Sequence, residues 1–319
     1  MKKIIATVGP SLLYTTSINE VHSDQIIYRI NGAHGTISEI ESYILEIKSQ
    51  VKNATILMDL PGNKVRTKGF DNGYIDIIEG EKFSLFFEQM NYTNLYKHIK
   101  VNDIVWANDS IFQFTVSEIT KDKIIFISHS TGQLKNNKGI HIRGIHSNIP
   151  FLFEKDTELI KLANKYKLAY VGLSFVRTKQ DVILAKQLID PEIDIISKIE
   201  TVAAVDNLVE ILSEVEFILI DRGDLSTEIG LSKVPSYQKY IIDKAVFHGK
   251  KVFLATQFLK SMEYNPIPTI PEVIDLYNTL KSGIYGVQMS EETAVGKYPI
   301  NCIKLINELV EEINNEHIS

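Results

Sequence analysis

The stretch AYVGLSFVRTKQDVILAKQLIDPEIDIISKIE, residues 169–200, contains one full alternation of strand, helix and strand. The apolar run at 169–173 has almost no polar alternation, which marks a strand buried on both faces, as in a parallel sheet. A helical pattern covers 178–188, and a second apolar run follows at 194–198. The unit repeats downstream: helix 203–213, strand 217–220, helix 235–247, strand 251–255, helix 271–281, strand 286–289 and a closing helix 299–315. Pro235 suits a first helical turn. The closing helix gathers Ile303, Leu305, Ile306, Leu309, Val310 and Ile313 on one face.

The same rhythm runs upstream, with strands at 3–7, 26–29 and 55–59. A helix at 37–52 lies between the second and third, and Thr36 with Glu39 forms a capping box at its start. Eight strands in βα alternation predict an α/β fold, a (β/α)8 TIM barrel. A doubly wound open sheet is the alternative that the pattern leaves. One segment breaks the rhythm. Residues 67–144 are rich in Asn, Asp, Lys and Gly, with short alternating runs near 74–78, 82–87, 111–116 and 123–128. They read as a small all-β lid domain inserted after strand 3. The expected division is a barrel from 1–66 and 145–319, with the lid at 67–144.

The 319 residues are 44% hydrophobic and 23% charged, which excludes a disordered or fibrous chain. With 34 basic against 40 acidic residues the net charge is −6, so no global pull toward nucleic acid or anionic lipid is expected. Cys302 is the only cysteine, which forbids an intrachain disulfide and suits a reducing compartment. No apolar run approaches the ~18 residues of a membrane span. Lys2-Lys3 before Ile4-Ile5-Ala6 imitates a signal peptide, but Gly9-Pro10 ends the run early. The expectation is a cytoplasmic protein.

In such barrels the site lies at the carboxyl ends of the strands. In strand order, the residues there are Thr7; Arg29 and Asn31; Asp59; Ser174 and Arg177; Lys198 and Glu200; Arg222 and Asp224; Thr256; Ser290 and Glu292. Any one alone reads as a helix cap or a strand-end ion pair. A polar residue at every strand end of one rim reads as a site. Arg29 and Lys198 suit a phosphate or an enolate. Glu200 and Asp224 suit a shared Mg²⁺ or Mn²⁺, which takes one or two carboxylates plus ligand oxygens. Thr256 offers a hydroxyl, and Arg222-Gly223-Asp224 offers backbone N–H groups to an anion. Lys138 in GQLKNNKG (132–139) is either a phosphate-reaching lysine or part of a solvated turn. The eight histidines lack zinc-binding spacing. Neither GxGxxG nor a Walker A loop is present.

These motifs resemble, in order and spacing, those of the pyruvate kinase family: KIIATVGPS (3–11), RINGAHG (29–35), DLPGNKVRT (59–67), GIHIRG (139–144), SFVR (174–177), SKIE (197–200), RGDL (222–225), ATQ (255–257) and ETAVGKYP (292–299). The resemblance implies Mg²⁺- or Mn²⁺-dependent phosphoryl transfer between phosphoenolpyruvate and ADP through an enolate, a step of glycolysis. It implies that Lys198 stabilises the enolate and the moving phosphoryl group, that Arg29 holds phosphoryl oxygens, and that Lys138 reaches down from the lid. Thr256, Ser174, Glu292 and the N–H groups of Gly223 and Asp224 would serve the substrate, and Asn31, His34 and Arg66 the nucleotide side. Glu200 and Asp224 would bind the divalent ion, and Asn31 and Asp59 would mark the family's monovalent-cation site.

The departures from the family pattern carry expectations too. Ala33 stands where the family has a potassium ligand, and Lys64 where potassium-dependent members have a glutamate, so K⁺ is not expected to be required. Gly32 replaces an aromatic residue, Asn108-Asp109-Ser110 replaces an acidic pair with glycine, and Glu291 replaces a glycine. The family's C-terminal effector domain is not in this sequence, so hyperbolic saturation and at most a homodimer are expected. Asp221 replaces a small alanine beside the substrate. It is expected either to pair with Arg177 or Lys198, or to accept a hydrogen bond from a polar substituent that pyruvate lacks. The second option keeps other readings open: a related enzyme acting on a different enol or keto acid, a Mg²⁺-enolate lyase or aldolase on the same barrel, or a sensor of a phosphorylated metabolite.

Overall fold

A computed structural model describes residues 2–15, 18–108, 111–142 and 144–316. Eight parallel strands close into a barrel: Lys3–Thr7, Ile26–Asn31, Ile56–Asp59, Tyr170–Leu173, Asp194–Lys198, Phe217–Asp221, Lys251–Ala255 and Gly286–Met289. Each strand pairs with its sequence neighbour, and the first pairs with the eighth through Ile4 opposite Val287 and Ala6 opposite Met289. Closure rules out the open sheet. The unbroken apolar runs have a direct cause. Alternate residues such as Ile4 and Ala6 pack outward into the core shared with the helices. Ile5, Ile27, Leu57, Ile196, Phe217 and Phe253 fill the barrel interior. With both faces buried, no position is left for polar alternation.

The helices follow the expected order, with local differences at their ends. The first, Ile37–Gln50, starts at the Thr36 capping box: Thr36 Oγ1 accepts from Glu39 N, and the Glu39 carboxylate accepts from Thr36 N at 2.6 Å. The expected helix at 203–213 is two pieces, Val202–Asp206 and Leu208–Glu214. Asn207 divides them because its side-chain amide donates to Arg177 O and Ala203 O, competing with the helical ladder. Among the described residues no helix is long and apolar enough to cross a membrane.

Between the third and fourth barrel strands the chain forms antiparallel β structure. Among the described residues six strands make one sheet, from Val65–Arg66 and Gly139–His141 at one edge to Lys82–Phe86 at the other, and Tyr74–Ile77 pairs separately with Gly132–Lys135. These strands enclose their own core, which includes Phe112, Phe114, Phe126 and Leu134. Sheet pairing thus begins at Val65, two residues before the texture of the sequence changes. The positions Asp109, Ser110 and Arg143, which carried part of the lid comparison, lie outside the described residues.

Candidate active site

At the carboxyl end of the first three strands the polar groups form one connected hydrogen-bond set, which leaves Asp59 Oδ1 buried without a hydrogen-bond partner. Arg29 is 7% exposed. Its Nε and Nη2 donate to Asp59 Oδ2 at 2.7 and 2.6 Å, and Nη1 donates to Thr7 Oγ1 at 2.7 Å. Thr7 in turn donates to Met289 O. Gly172 on the fourth strand makes room, since a Cβ there would lie 3.0 Å from Asp59 Oδ1. The loop after Asp59 is pinned from outside by buried Asp156, whose two oxygens accept from Gly62 N and Phe153 N at 2.9 and 2.7 Å. Burial pushes the Asp156 carboxyl up to about 6, although both N–H groups oppose the shift.

Across the barrel one ammonium is shared among several carboxylates. Lys198, at the end of the fifth strand, donates to Ser174 Oγ at 3.0 Å, and Ser174 donates to Leu60 O. The Lys198 ammonium lies 3.3 Å from Glu200 Oε2, 3.7 Å from Asp221 Oδ2 and 3.8 Å from Asp59 Oδ1. Burial pulls its pKa down, but the carboxylates of Asp59, Glu200, Asp221 and Asp224 outweigh this and hold it above the usual lysine value. Glu200 is fully buried. Its Oε1 accepts from Phe175 N at 2.8 Å, while Oε2 has no hydrogen-bond donor. Burial raises the Glu200 carboxyl above the carboxylate range against the pull of Lys198.

The sixth strand ends in Asp221, which caps the helix Arg222–Ile229. Asp221 Oδ1 accepts from Gly223 N at 3.1 Å and from Thr256 Oγ1 at 2.6 Å. Of the two cations expected beside it, Lys198 is the one present. Arg177 is a double donor to Asp181 instead. Asp224 carries the Lys64 ammonium on Oδ1 at 2.6 Å. Burial pushes the Asp224 pKa up, but Lys64 and Lys198 outweigh it and hold the carboxyl well below its ordinary value.

The backbone is strained on this side. Phe175, Thr256 and Gln257 have φ of +56°, +85° and +59°, a region side chains rarely adopt, and a β-branched residue least of all. Arg222 holds the loop there. Its guanidinium donates twice to Thr256 O, pairs with Asp275 and stacks 4.2 Å from the centre of the Phe258 ring. Strain of this kind collects at functional sites, and here it brings the Thr256 hydroxyl to Asp221.

The remaining candidates lie around this centre. Asn31 Oδ1 accepts from Ala33 N. His34 Nδ1 meets Asn137 Nδ2 at 3.2 Å, and burial together with Arg66, Arg29 and Lys155 lowers its pKa. Arg66 donates to Asn137 O. Lys138 is fixed through its backbone, with N–H donating to Thr67 Oγ1 and its carbonyl accepting from Thr67 N. Glu292 is buried, accepts from Ser290 N, and is raised by that burial. Gly32 has a local reason: a Cβ there would lie 2.5 Å from Leu159 and 2.7 Å from Asp59 O. The sequence reading missed the support roles of Asp156 and Arg222. Asp156 had only its place in a capping position as a signal.

Among the described residues, Glu200, Asp221 and Asp224 form one group of carboxylates, with one oxygen from each lying within 4.8 Å of the others. Glu200 Oε2, buried and without a donor, suits a divalent ion at that place.

Known proteins resemble this chain over nearly its whole length. The family model described as pyruvate kinase, barrel domain, matches residues 1–303. A pyruvate kinase of Thermotoga maritima is 33% identical over 97% of this chain and 70% of its own length. Those of Bacillus licheniformis and Geobacillus stearothermophilus are 30% and 31% identical over 99% and 96% of this chain. The chain spans 58% and 56% of the length of those two.

Proposed function

From the premise that the chain belongs to the pyruvate kinase family, we propose that it transfers a phosphoryl group between phosphoenolpyruvate and ADP. The bond from the enol oxygen to phosphorus breaks, a bond from an ADP β-phosphate oxygen to phosphorus forms, and the enolate left behind takes a proton at its methylene carbon to become pyruvate. The observation that carries this reading is the buried Lys198 ammonium. It is fixed by Ser174 and aimed at the rim beside Glu200 and Asp221. A preorganised cation in a dry site stabilises a developing enolate far better than one in water.

The other residues take roles that suit their positions. Arg29, rigidly held by Asp59 and Thr7, presents a fixed positive charge toward phosphoryl oxygens. Thr256 and the helix start at Gly223 and Asp224 face the acid group. His34, Asn31 and Arg66 border the nucleotide side, and Lys138 would reach down from the inserted β structure to the phosphoryl oxygens. Glu200 and Asp224 would hold Mg²⁺, which supplies Lewis-acid stabilisation of ligand oxygens. The Lys64 ammonium supplies a fixed charge that makes K⁺ unnecessary. The test is ADP phosphorylation by phosphoenolpyruvate, coupled to pyruvate detection, with and without Mg²⁺. Mg²⁺-dependent turnover supports the reading, and none at millimolar substrate overturns it.

One observation favours a second reading, a different enol or keto acid. The Gly223 N–H and the Thr256 hydroxyl, both suited to a substrate carboxylate, are held by Asp221. A panel of phosphorylated enol acids in the same assay separates the two readings.

A further inference from the structure

Two carboxylates, Glu200 and Asp224, are the simplest divalent-ion site on this rim, yet one of them is already engaged. Lys64 approaches from the loop after the third strand and places its ammonium on Asp224 Oδ1 at 2.6 Å. Gly139 makes room for the lysine chain, since a Cβ there would lie 2.6 Å from Lys64 Cε. The cations of the rim then pair off unevenly. Arg29 is committed to Asp59 and Lys64 to Asp224, while Lys198 faces Glu200 and Asp221 together. The Lys198 corner therefore has one more carboxylate than cation, and one of its oxygens, Glu200 Oε2, is buried without a hydrogen-bond donor.

Asp221 completes this corner. Its Oδ1 is anchored by Gly223 N–H and the Thr256 hydroxyl, which fixes the plane of the carboxylate. That leaves Oδ2, with the Lys198 ammonium 3.7 Å away. We propose that Asp221 is a third carboxylate of the divalent-cation site beside Glu200 and Asp224, compensating for the Asp224 oxygen that Lys64 has taken. A site of one or two carboxylates depends on substrate oxygens to complete its shell. With three, the protein holds the ion before any substrate arrives. The proposal rests on the cation-dependent reading of this rim and deepens it.

The experiment is a titration with Mn²⁺ alone, read by electron paramagnetic resonance without substrate or nucleotide. The proteins are the native chain, Asp221→Asn, Lys64→Met and the double variant. Asparagine keeps an acceptor for Gly223 N–H and Thr256, so the helix cap survives, and thermal melting checks this. Asp221→Ser caps the same N–H and replaces the Asn variant if that one unfolds. The native chain is expected to bind one Mn²⁺, and Asp221→Asn to bind at least tenfold more weakly. In the double variant Asp224 Oδ1 is released, and much of the affinity should return. Native affinity in a folded Asp221→Asn variant overturns the proposal, as does a native chain without a saturable Mn²⁺ site. Measuring ADP phosphorylation on the same preparations separates the two claims. Activity with unchanged Mn²⁺ binding in Asp221→Asn removes the third carboxylate and leaves the transfer reaction. Asp221-dependent Mn²⁺ binding without activity does the reverse.

Discussion

The two halves of the barrel rim are built on opposite terms. On the side of the first three strands, Thr7, Arg29 and Asp59 make a connected set of short, buried hydrogen bonds, with Asp59 Oδ1 left over and 3.8 Å from Lys198. Across from it, Lys198 is shared among several carboxylates, Glu200 Oε2 lacks a donor, and Phe175, Thr256 and Gln257 have left-handed backbones. The first half behaves as a frame. Each half keeps one buried carboxylate oxygen without a hydrogen bond, Asp59 Oδ1 and Glu200 Oε2, and the second adds the backbone strain that a ligand can use. Substitutions should therefore differ by side, with the larger loss of stability around Asp59 and the larger loss of turnover around Lys198.

The largest effect is expected at Lys198. Lys198→Met removes the only cation within ion-pairing distance of Glu200 among the described residues. Turnover of phosphoenolpyruvate with ADP should fall at least ~10³-fold, about 4 kcal/mol of transition-state stabilisation. If a tenth of native kcat survives in the coupled assay, the second half of the rim is not where the chemistry is concentrated.

Asp59→Asn tests the frame. It leaves the Arg29 guanidinium buried opposite a neutral group, and breaking such a pair by removing one partner destabilises by roughly 3–5 kcal/mol. For a chain of this size the thermal midpoint should drop by roughly 10 °C. A loss of activity with an unchanged midpoint would mean that Asp59 belongs functionally to the other half.

The frame also titrates. The folded Asp156 carboxyl is raised to about 6 from 3.8, so between those values the native state keeps a proton that the unfolded chain has released. This contribution to stability is full below about pH 3.8 and is lost as pH rises through about 6. It amounts to at most ~3 kcal/mol, at 1.36 kcal/mol per pKa unit. Asp156→Asn removes the titration and keeps one acceptor for the loop. Denaturant melts of the two proteins between pH 4 and 7 should show a weaker pH slope in the variant, and parallel slopes would contradict the assignment.

What was legible in the sequence follows the same division. The eight strands could be read because burial on both faces leaves a one-dimensional trace, an apolar run bounded by polar rim residues. The Thr36–Glu39 cap could be read because its partners lie three residues apart. The Lys64–Asp224 bond could not, since 160 residues separate its ends and only barrel closure brings them together. The break at Asn207 was hidden because side-chain competition with a helix depends on a distant acceptor, Arg177 O. Asp221 was visible as an unusual charge. That it would anchor on Gly223 N–H and Thr256 depended on a backbone turn that no glycine announces.

That turn gives the smallest effect and the sharpest contrast of sign. Gln257 has φ of +59° and an exposed side chain. A left-handed conformation disfavours a residue with a Cβ by roughly 1 kcal/mol, and glycine adopts it freely. Gln257→Gly should therefore raise stability by about 0.5–1 kcal/mol, roughly 1–3 °C in thermal midpoint. Most glycine substitutions inside regular elements do the opposite. The same change loosens the turn that brings the Thr256 hydroxyl to Asp221, so turnover should fall severalfold as the midpoint rises. A scanning melt and a kcat measurement on one preparation read both. If midpoint and turnover fall together, the Gln257 side chain is itself a support. If the midpoint rises and turnover holds, the strain at Thr256 is carried by the Arg222 clamp, and the second half of the rim is stiffer than its unsatisfied groups imply.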